Sequence, residues 1–523
     1  MSDKGGRVHV MRDDTPVLIG AGQFTYRGVA ADSPSPLELL KIAAKSAASD
    51  AGLDEAVLAG IDALAVVGFS IDAPGGLSRL PVPRLLNPPI SLARAVGASP
   101  RIDLYTYTGG NTPQMLVNQF AERISRGEVE LGLIAGAEFL GSLMKRLKGG
   151  LGFGDDWSDD VTQPPNMVGD PRPGATPHEE AHGLAFPTNT YPLFENALRA
   201  RDGRSIPDHQ KHIGDLFAPF TRVAAANPHA WFPVERSAEE LMTVTAANRM
   251  VGFPYPKYVN SILEVDQSAA VLIASVSKAR ELGVPEDRWV FLHGCADAAD
   301  LWNLLDRQDY HSSPAIRLTG ERALDMAGVQ LADIDLFDIY SCFPAAVQVA
   351  AEELGLAIDD PRGLTVTGGL PYFGGPGNNY AMHGIAEMMQ RLRDRPGGYG
   401  LCTANGWHLT KQSVGVYSTR PVEGRWERED PKVIQARIDA LPHPPVIERP
   451  QGAATIETFT VIHSREGYRM GIVIGRDREG RRFVANTPED EKTLRGLEAA
   501  EAVGRTGTVG PHPDGVRNLF IPD

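Results

Sequence analysis

Cysteine is scarce in this chain: Cys295, Cys342 and Cys402 are the three among 523 residues, and none forms a CxxC pair. That scarcity argues against a disulfide framework or a structural zinc site and fits a reducing compartment. Long apolar runs are missing too. No stretch approaches the ~20 residues a membrane helix needs, and the opening MSDKGGRVHVMRDD lacks an apolar segment of signal-peptide type. The expectation is a cytoplasmic protein without membrane contact. Excess positive charge is the third absence: a net charge of −15 disfavours a phosphate backbone, so nucleic acid is not an expected partner.

What is present is ordinary for a globular protein, with 42% hydrophobic and 22% charged residues, and 523 residues are too many for one core. Short Val/Ile/Leu runs such as TPVLIGAGQ alternate with helical patterns such as LELLKIAAKSAASDAG, which predicts an α/β architecture. The pattern divides into residues 15–277, interrupted by a Pro/Gly/Asp-rich insertion around 149–250, and residues 278–425 in the same style. Residues 1–14 are expected to be disordered. Beyond the linker LPHPPVIERPQ, residues 445–523 read as β-rich runs around one short helix, a small β-barrel of OB type.

The stretch YTGGNTPQMLVNQFAERISRGEVELGLIAGAE poses the functional question. Pro113 suits the start of a helix, and Thr112 is placed to cap it. Leu116, Val117, Phe120 and Ile124 recur on one helical face, and ELGLIAGA reads as a strand buried on both sides. Gly109 and Gly110 let the backbone approach a ligand at the positive end of that helix, where an oxyanion is stabilised. No cysteine, serine or histidine stands at the turn.

These elements, with NRMVGFPYPKYVNSILEVDQSAAVLIAS, YSCF, GGLPYFGGPGNNYAMHG and GLCTANGWHLTKQSVGVYST in that order, resemble the thiolase superfamily over roughly residues 16–419. The resemblance is to thiolase-like relatives of the sterol carrier protein thiolases that carry an additional C-terminal domain. It implies a five-layered αβαβα fold of two similar halves, an acyl-CoA substrate with coenzyme A as a substrate or product moiety, no bound cofactor, and a homodimer. It also implies a cysteine nucleophile at the start of the helix, and counting back from RGE that position falls at Gly110.

The family's other motifs depart as well. Tyr340 of YSCF stands where an Asn or His is usual, able to donate to an oxyanion or to act as acid or base. Gly375 of GGPGNN stands at the position of the activating histidine, and His383 eight residues later is the candidate to replace it. His408 lies near the place of the second cysteine, whereas Cys402 and Cys342 read as small buried residues. Tyr340, His383 and His408 are therefore the candidate catalytic residues, with Tyr255 and His293 weaker ones. Gly109, Gly110, Gly374, Gly375, Gly377 and Asn378 are the candidates for holding the thioester.

Acyl transfer through a cysteine is excluded at a glycine, yet an enolate can still be held, and this is the shared demand of Claisen and aldol chemistry. Three functions remain: an acyltransferase-like enzyme that makes or breaks a carbon–carbon bond, a retro-aldolase on a 3-hydroxyacyl-CoA as in related steroid side-chain enzymes, and a non-catalytic acyl-CoA-binding scaffold. The barrel offers Phe459, Tyr468, Arg476 and Arg481 as a single-strand surface, but the acidic whole favours a channel-covering role.

Overall fold

The computed structural model describes residues 11–75 and 77–523; most of the expected N-terminal tail, residues 1–10, lies outside them. The strands, in chain order, are β1 (Pro16–Thr25), β2 (Ala63–Val66), β3 (Ile102–Thr106), β4 (Leu131–Phe139), β5 (Met167–Val168), β6 (Met250–Gly252), β7 (Tyr255–Pro256) and β8 (Asp266–Ser275). They continue with β9 (Val290–Ala299), β10 (Leu336–Asp338), β11 (Tyr399–Gly406), β12 (Lys411–Ser418), β13 (Gly452–His463), β14 (Tyr468–Asp477), β15 (Arg482–Asn486), β16 (Thr506–Pro511) and β17 (Asn518–Pro522).

The first twelve strands, apart from β6 and β7, lie in the order β10-β11-β12-β9-β1-β8-β4-β2-β3-β5. β1 and β9 meet through Val17–Phe291 and Leu18–Val290 alone, so the array is two half-sheets joined at a narrow seam. Between them run two helices, Thr112–Ser125 and Tyr380–Arg393, which touch each other and strands of both halves. The helix Pro36–Asp50 covers β1 and β8 from outside, and Pro314–Ala327 covers β9 and β12. This is the mixed five-layer arrangement of a thiolase fold. Apolar runs such as β4 and β8, buried along their whole length, are what a strand between two helical layers requires.

The Thr112 helix corrects the amphipathic reading. Its face of Leu116, Val117, Phe120 and Ile124 is buried, but so are Thr112, Gln114, Asn118 and Ser125 on its other sides, because a central layer has no solvent face. Gln114 and Asn118 satisfy one another at 2.8 Å, and Tyr417 Oη donates to Gln114 Oε1 at 2.7 Å.

The C-terminal strands close into a five-stranded barrel, β13-β14-β15-β17-β16 and back to β13, with the helix Glu491–Ala499 between β15 and β16. Phe459, Val461, Val473, Phe483, Leu494 and Phe520 form its core. β6 and β7, at the end of the insertion and just after it, continue the same sheet beyond β13, with Ile462 opposite Gly252.

Candidate functional site

Both central helices begin at glycine turns, and the two turns meet. Gly109 N donates to Asn378 Oδ1 at 2.9 Å, while Asn378 Nδ2 donates to Gly68 O at 2.7 Å. Thr112 does not cap its helix: Asn111 holds the capping position without a side-chain cap bond, and Thr112 Oγ1 donates backward to Gly109 O at 2.8 Å. The amides of Gly110 and Asn111 have no acceptor among the described residues, and the Thr112 helix dipole adds positive potential beside them.

A side chain at Gly110 has no space. Its Cβ would run into Tyr340 Oη and, at 2.5 Å, into Asn405 O. The phenol thus occupies the volume a side chain at 110 would take, and Tyr340 N donating to Thr403 Oγ1 at 2.8 Å holds it there. Burial pushes the Tyr340 hydroxyl well above the usual value of 10, with Cys342 adding to it. Tyr340 is therefore a hydrogen-bond donor at neutral pH and a poor base.

The second glycine motif is filled in the same manner. A Cβ on Gly375 would meet Ser261 Oγ, and Gly375 N donates to Ile262 O at 2.8 Å. Gly374, at φ +116°, faces Gln267 Oε1, and Gly377, at φ +55°, faces Ser70 Oγ and Glu138 Oε2.

Glu138 is the residue that sequence reasoning passed over. It is the penultimate residue of β4, is wholly buried, and accepts from Phe139 N at 3.0 Å through Oε1, while Oε2 faces Gly377. Burial pushes its carboxyl up to about 7, partly opposed by hydrogen bonds from Ser70 and Phe139 N. The available signal was a carboxylate closing the apolar run ELGLIAGA, where an acid has no structural reason to be. Lys411 was passed over too: it donates to Thr108 O (2.8 Å) and Asp170 O (3.0 Å), beside Gly109, and burial pulls it down to about 8.

His383 sits on the Tyr380 helix, fully buried rather than on a helix surface, with Nδ1 2.9 Å from Gln23 Oε1 and no partner for Nε2 among the described residues. It is linked to Tyr340 only through aromatic neighbours: Phe373 at 5.1 Å, then Tyr380 at 6.0 Å, which meets Tyr340 at 5.4 Å. His408 packs instead against Tyr191 and Trp407, between two residues of positive φ, Trp407 and Leu409, and neither ring nitrogen has a partner among the described residues. Burial pulls both imidazoles down to about 3, His229 contributing at His383 and Arg307 at His408. Both are therefore neutral imidazoles at neutral pH, each with one N–H and one acceptor nitrogen and without the imidazolium form a strong general acid needs.

The weaker candidates have structural duties. Tyr255 Oη donates to Glu195, which also takes hydrogen bonds from His209 and Gln348, and His293 Nε2 lies 2.7 Å from Arg420 O. Burial pushes the Cys342 thiol up to about 12 and the Cys402 thiol well above its usual value, so neither supplies a thiolate. On the barrel, Phe459 is in the core, Arg476 pairs with Glu457 at 3.0 Å and Arg481 with Asp477 at 2.7 Å. Those residues do not form the stacking surface the sequence offered.

Residues 433–515 match the family described as Thiolase-like protein type 1 additional C-terminal domain, and residues 296–375 match Thiolase C-terminal domain-like. A solved structure described as a monomeric SCP2-thiolase like protein type 1 from Mycobacterium smegmatis is 39% identical, with 98% of this chain and 99% of that one covered and a TM-score of 0.83. The chain belongs to the type 1 SCP2-thiolase-like family. The Ltp2-ChsH2(DUF35) aldolase has the same fold at 19% identity, covering 78% of this chain and 98% of its own, with a TM-score of 0.56. A 3-ketoacyl-CoA thiolase of Salmonella typhimurium is 32% identical over 160 residues, 28% of this chain; the match spans about a third, 35%, of that relative's length. Among the described residues, no helix of this thiolase-like protein is long and apolar enough to cross a membrane.

Proposed function

We propose that this protein acts on an acyl-CoA thioester and makes or breaks a carbon–carbon bond without a covalent acyl-enzyme. The observation that carries this reading is the Tyr340 phenol lodged where a side chain at Gly110 would lie. A thioester enolate brought to this turn would meet a neutral phenol and the amides of Gly110 and Asn111, a set of fixed donors where negative charge develops. Hydrogen bonds of that kind cost no covalent bond to the protein, and carbon–carbon cleavage of a 3-hydroxyacyl-CoA needs none. The retro-aldol direction requires a group that takes the 3-hydroxyl proton. Glu138 beside Gly377, with its carboxyl near 7, suits that task better than His383 or His408 near 3.

A non-catalytic acyl-CoA scaffold is the second reading, favoured by the filling of both glycine positions, 110 by Tyr340 and 375 by Ser261. Mass-spectrometric turnover with paired 3-oxoacyl-CoA and 3-hydroxyacyl-CoA, with and without added CoA, separates the readings. Cleavage of the 3-hydroxy substrate without CoA, lost in Tyr340→Phe, is the expected result. CoA-dependent cleavage of the 3-oxo substrate would overturn it, and binding without turnover across the panel would leave the scaffold.

The assembly we propose is a monomer, not the homodimer that the wider resemblance implies. β5 pairs with β3 at Tyr105–Met167 and Thr106–Val168, occupying the edge of the first half-sheet with the chain's own insertion. Light scattering giving twice the chain mass at micromolar concentration would sink this. The barrel's strand order, β13-β14-β15-β17-β16 with a helix after the third strand, we read as OB type, serving the site rather than a nucleic acid.

A further inference from the structure

A cavity lies not at Gly110 but behind the Gly374–Gly375 loop, and separate parts of the chain build it. Pro371 and Tyr372 form the inner wall, continuous with Gly374. The insertion contributes Phe232, Arg236 and Arg249, the segment that follows it Lys257 and Tyr258, and the barrel contributes Arg465 from the turn between β13 and β14. Its volume is about 790 Å³, within the range of sites that enclose a cofactor-sized molecule.

The chemistry of the lining is specific. Four cations meet in a protein whose net charge is −15. Arg236 is paired with Glu240 and lies over the Tyr258 ring at 4.3 Å, and Arg249 is held by Met250 O at 2.9 Å and His463 O at 3.3 Å. The side chains of Lys257 and Arg465 have no hydrogen-bond or ion-pair partner among the described residues, although both line the same hollow. The Tyr372 hydroxyl is 3% exposed at the residue level and also has no partner among them. Phe232 and Val234 at the mouth are large apolar side chains left 43% and 46% exposed. Cations for phosphates, aromatic faces for a base and an unpartnered buried hydroxyl are together the requirements of a nucleotide.

Arg465 is held in place by backbone pairing, since Phe253 N donates to Val461 O at 2.9 Å and Ser464 N to Gly467 O at 2.8 Å. The hairpin that carries it is thus in register with the strand that leads into Lys257 and Tyr258.

We propose that the C-terminal barrel is a ligand-binding element of the main site: Arg465 and Lys257 together grip the phosphates of an adenine nucleotide, the phosphorylated adenosine end of the acyl-CoA thioester. The identity of the nucleotide rests on the acyl-CoA reading above, whereas the part played by the barrel does not. The acyl arm then runs past Ile262 and the Gly375 loop toward Gly110.

Calorimetric titration of the full chain with CoA, adenosine 3′,5′-bisphosphate and ADP tests this, using the wild type, Arg465→Ala, Arg465→Lys and Lys257→Ala. Each alanine variant is expected to weaken CoA and the bisphosphate about tenfold, the size of one charge-assisted contact, with Arg465→Lys recovering part of the loss and the melting temperature unchanged. Raising the salt concentration is expected to narrow the difference. Wild-type affinity for CoA in both alanine variants would overturn the proposal while leaving the acyl-CoA reading intact. The tenfold losses with no turnover of any thioester would sustain the barrel's role and remove the enzyme. ADP bound as tightly as CoA and the bisphosphate would point to a free nucleotide and overturn the assignment to CoA.

Discussion

The two glycine turns that open the central helices are built alike and filled differently. At the first, Gly110 of one half is backed by Tyr340 and Asn405 of the other; at the second, Gly377 is backed by Ser70 and Glu138 of the first half. Each helix is preceded by an asparagine, Asn111 or Asn379, that makes no side-chain cap bond. The difference is in the filling group. A phenol that keeps its proton stands at one turn, and a carboxyl that exchanges its proton near 7 stands at the other. A pseudo-symmetric frame has thus been divided into a donor end and an acid–base end, with Asn378 bridging them.

The largest expected effect that would break this contrast is at Glu138. Its folded value of about 7 lies above the unfolded value of 4.5. The stabilisation from keeping it protonated is therefore complete below about 4.5 and is lost as the pH rises through about 7, a difference of roughly 3 kcal/mol. Thermal unfolding of wild type and Glu138→Gln is expected to diverge across that window; parallel pH profiles would show that burial leaves the Glu138 carboxyl at its ordinary value. His383 and His408 act from the opposite side. With both folded values lowered to about 3 by burial, stability falls as the pH drops below about 6.5, the unfolded chain taking up the protons first.

Gly110→Ala sharpens the donor end. Overpacking against Tyr340 and Asn405 is expected to cost about 2 kcal/mol, part of it recovered in the double variant with Tyr340→Phe, because the hydroxyl is one of the two obstacles. Strict additivity in denaturant melts would mean that the phenol does not occupy that space.

Asn378→Ala removes the bridge, leaving Gly109 N and Gly68 O without their partner at a cost of about 1.5 kcal/mol. A loss confined to one turn, read by amide hydrogen exchange at Gly109 and in the Tyr380 helix, would dissolve the idea that the turns act together. The smallest effect is assigned to Lys411→Met. Its two carbonyl contacts predict a stability change of about 1 kcal/mol, but turnover should fall further if its charge adds to the potential at Gly109. Equal changes in stability and turnover would make it a structural residue alone.

Much of the frame was legible. Alternating apolar and amphipathic runs carry their own period, so the α/β halves, the insertion and the β-rich C-terminus could be read locally. The glycines at 110 and 375 were legible as departures from a resemblance, yet what fills them was not, since Tyr340 and Ser261 arrive from distant segments. Thr112 misled because an N-terminal threonine reads as a cap from sequence, whereas Asn378, 269 positions from Gly109, supplies the turn's acceptor. His383 and His408 were read by residue type, and burial, a property of packing, fixed their protonation. Glu138 was hidden for the converse reason, as an acid at the end of a strand whose periodicity drew attention to its apolar members.

The pairing of β6 with β13 joins Gly252 to Ile462. A ribosome making this chain finishes both halves of the thiolase-like body before β13 exists. Until β13 and the turn after it emerge, the outer edge of β6 lies open and the pocket that Arg465 completes has no fourth cation. The barrel thus closes over a short β6–β7 ribbon that pairs with itself through Met250–Pro256 and Gly252–Tyr255, so that β13 covers an edge that would otherwise face solvent.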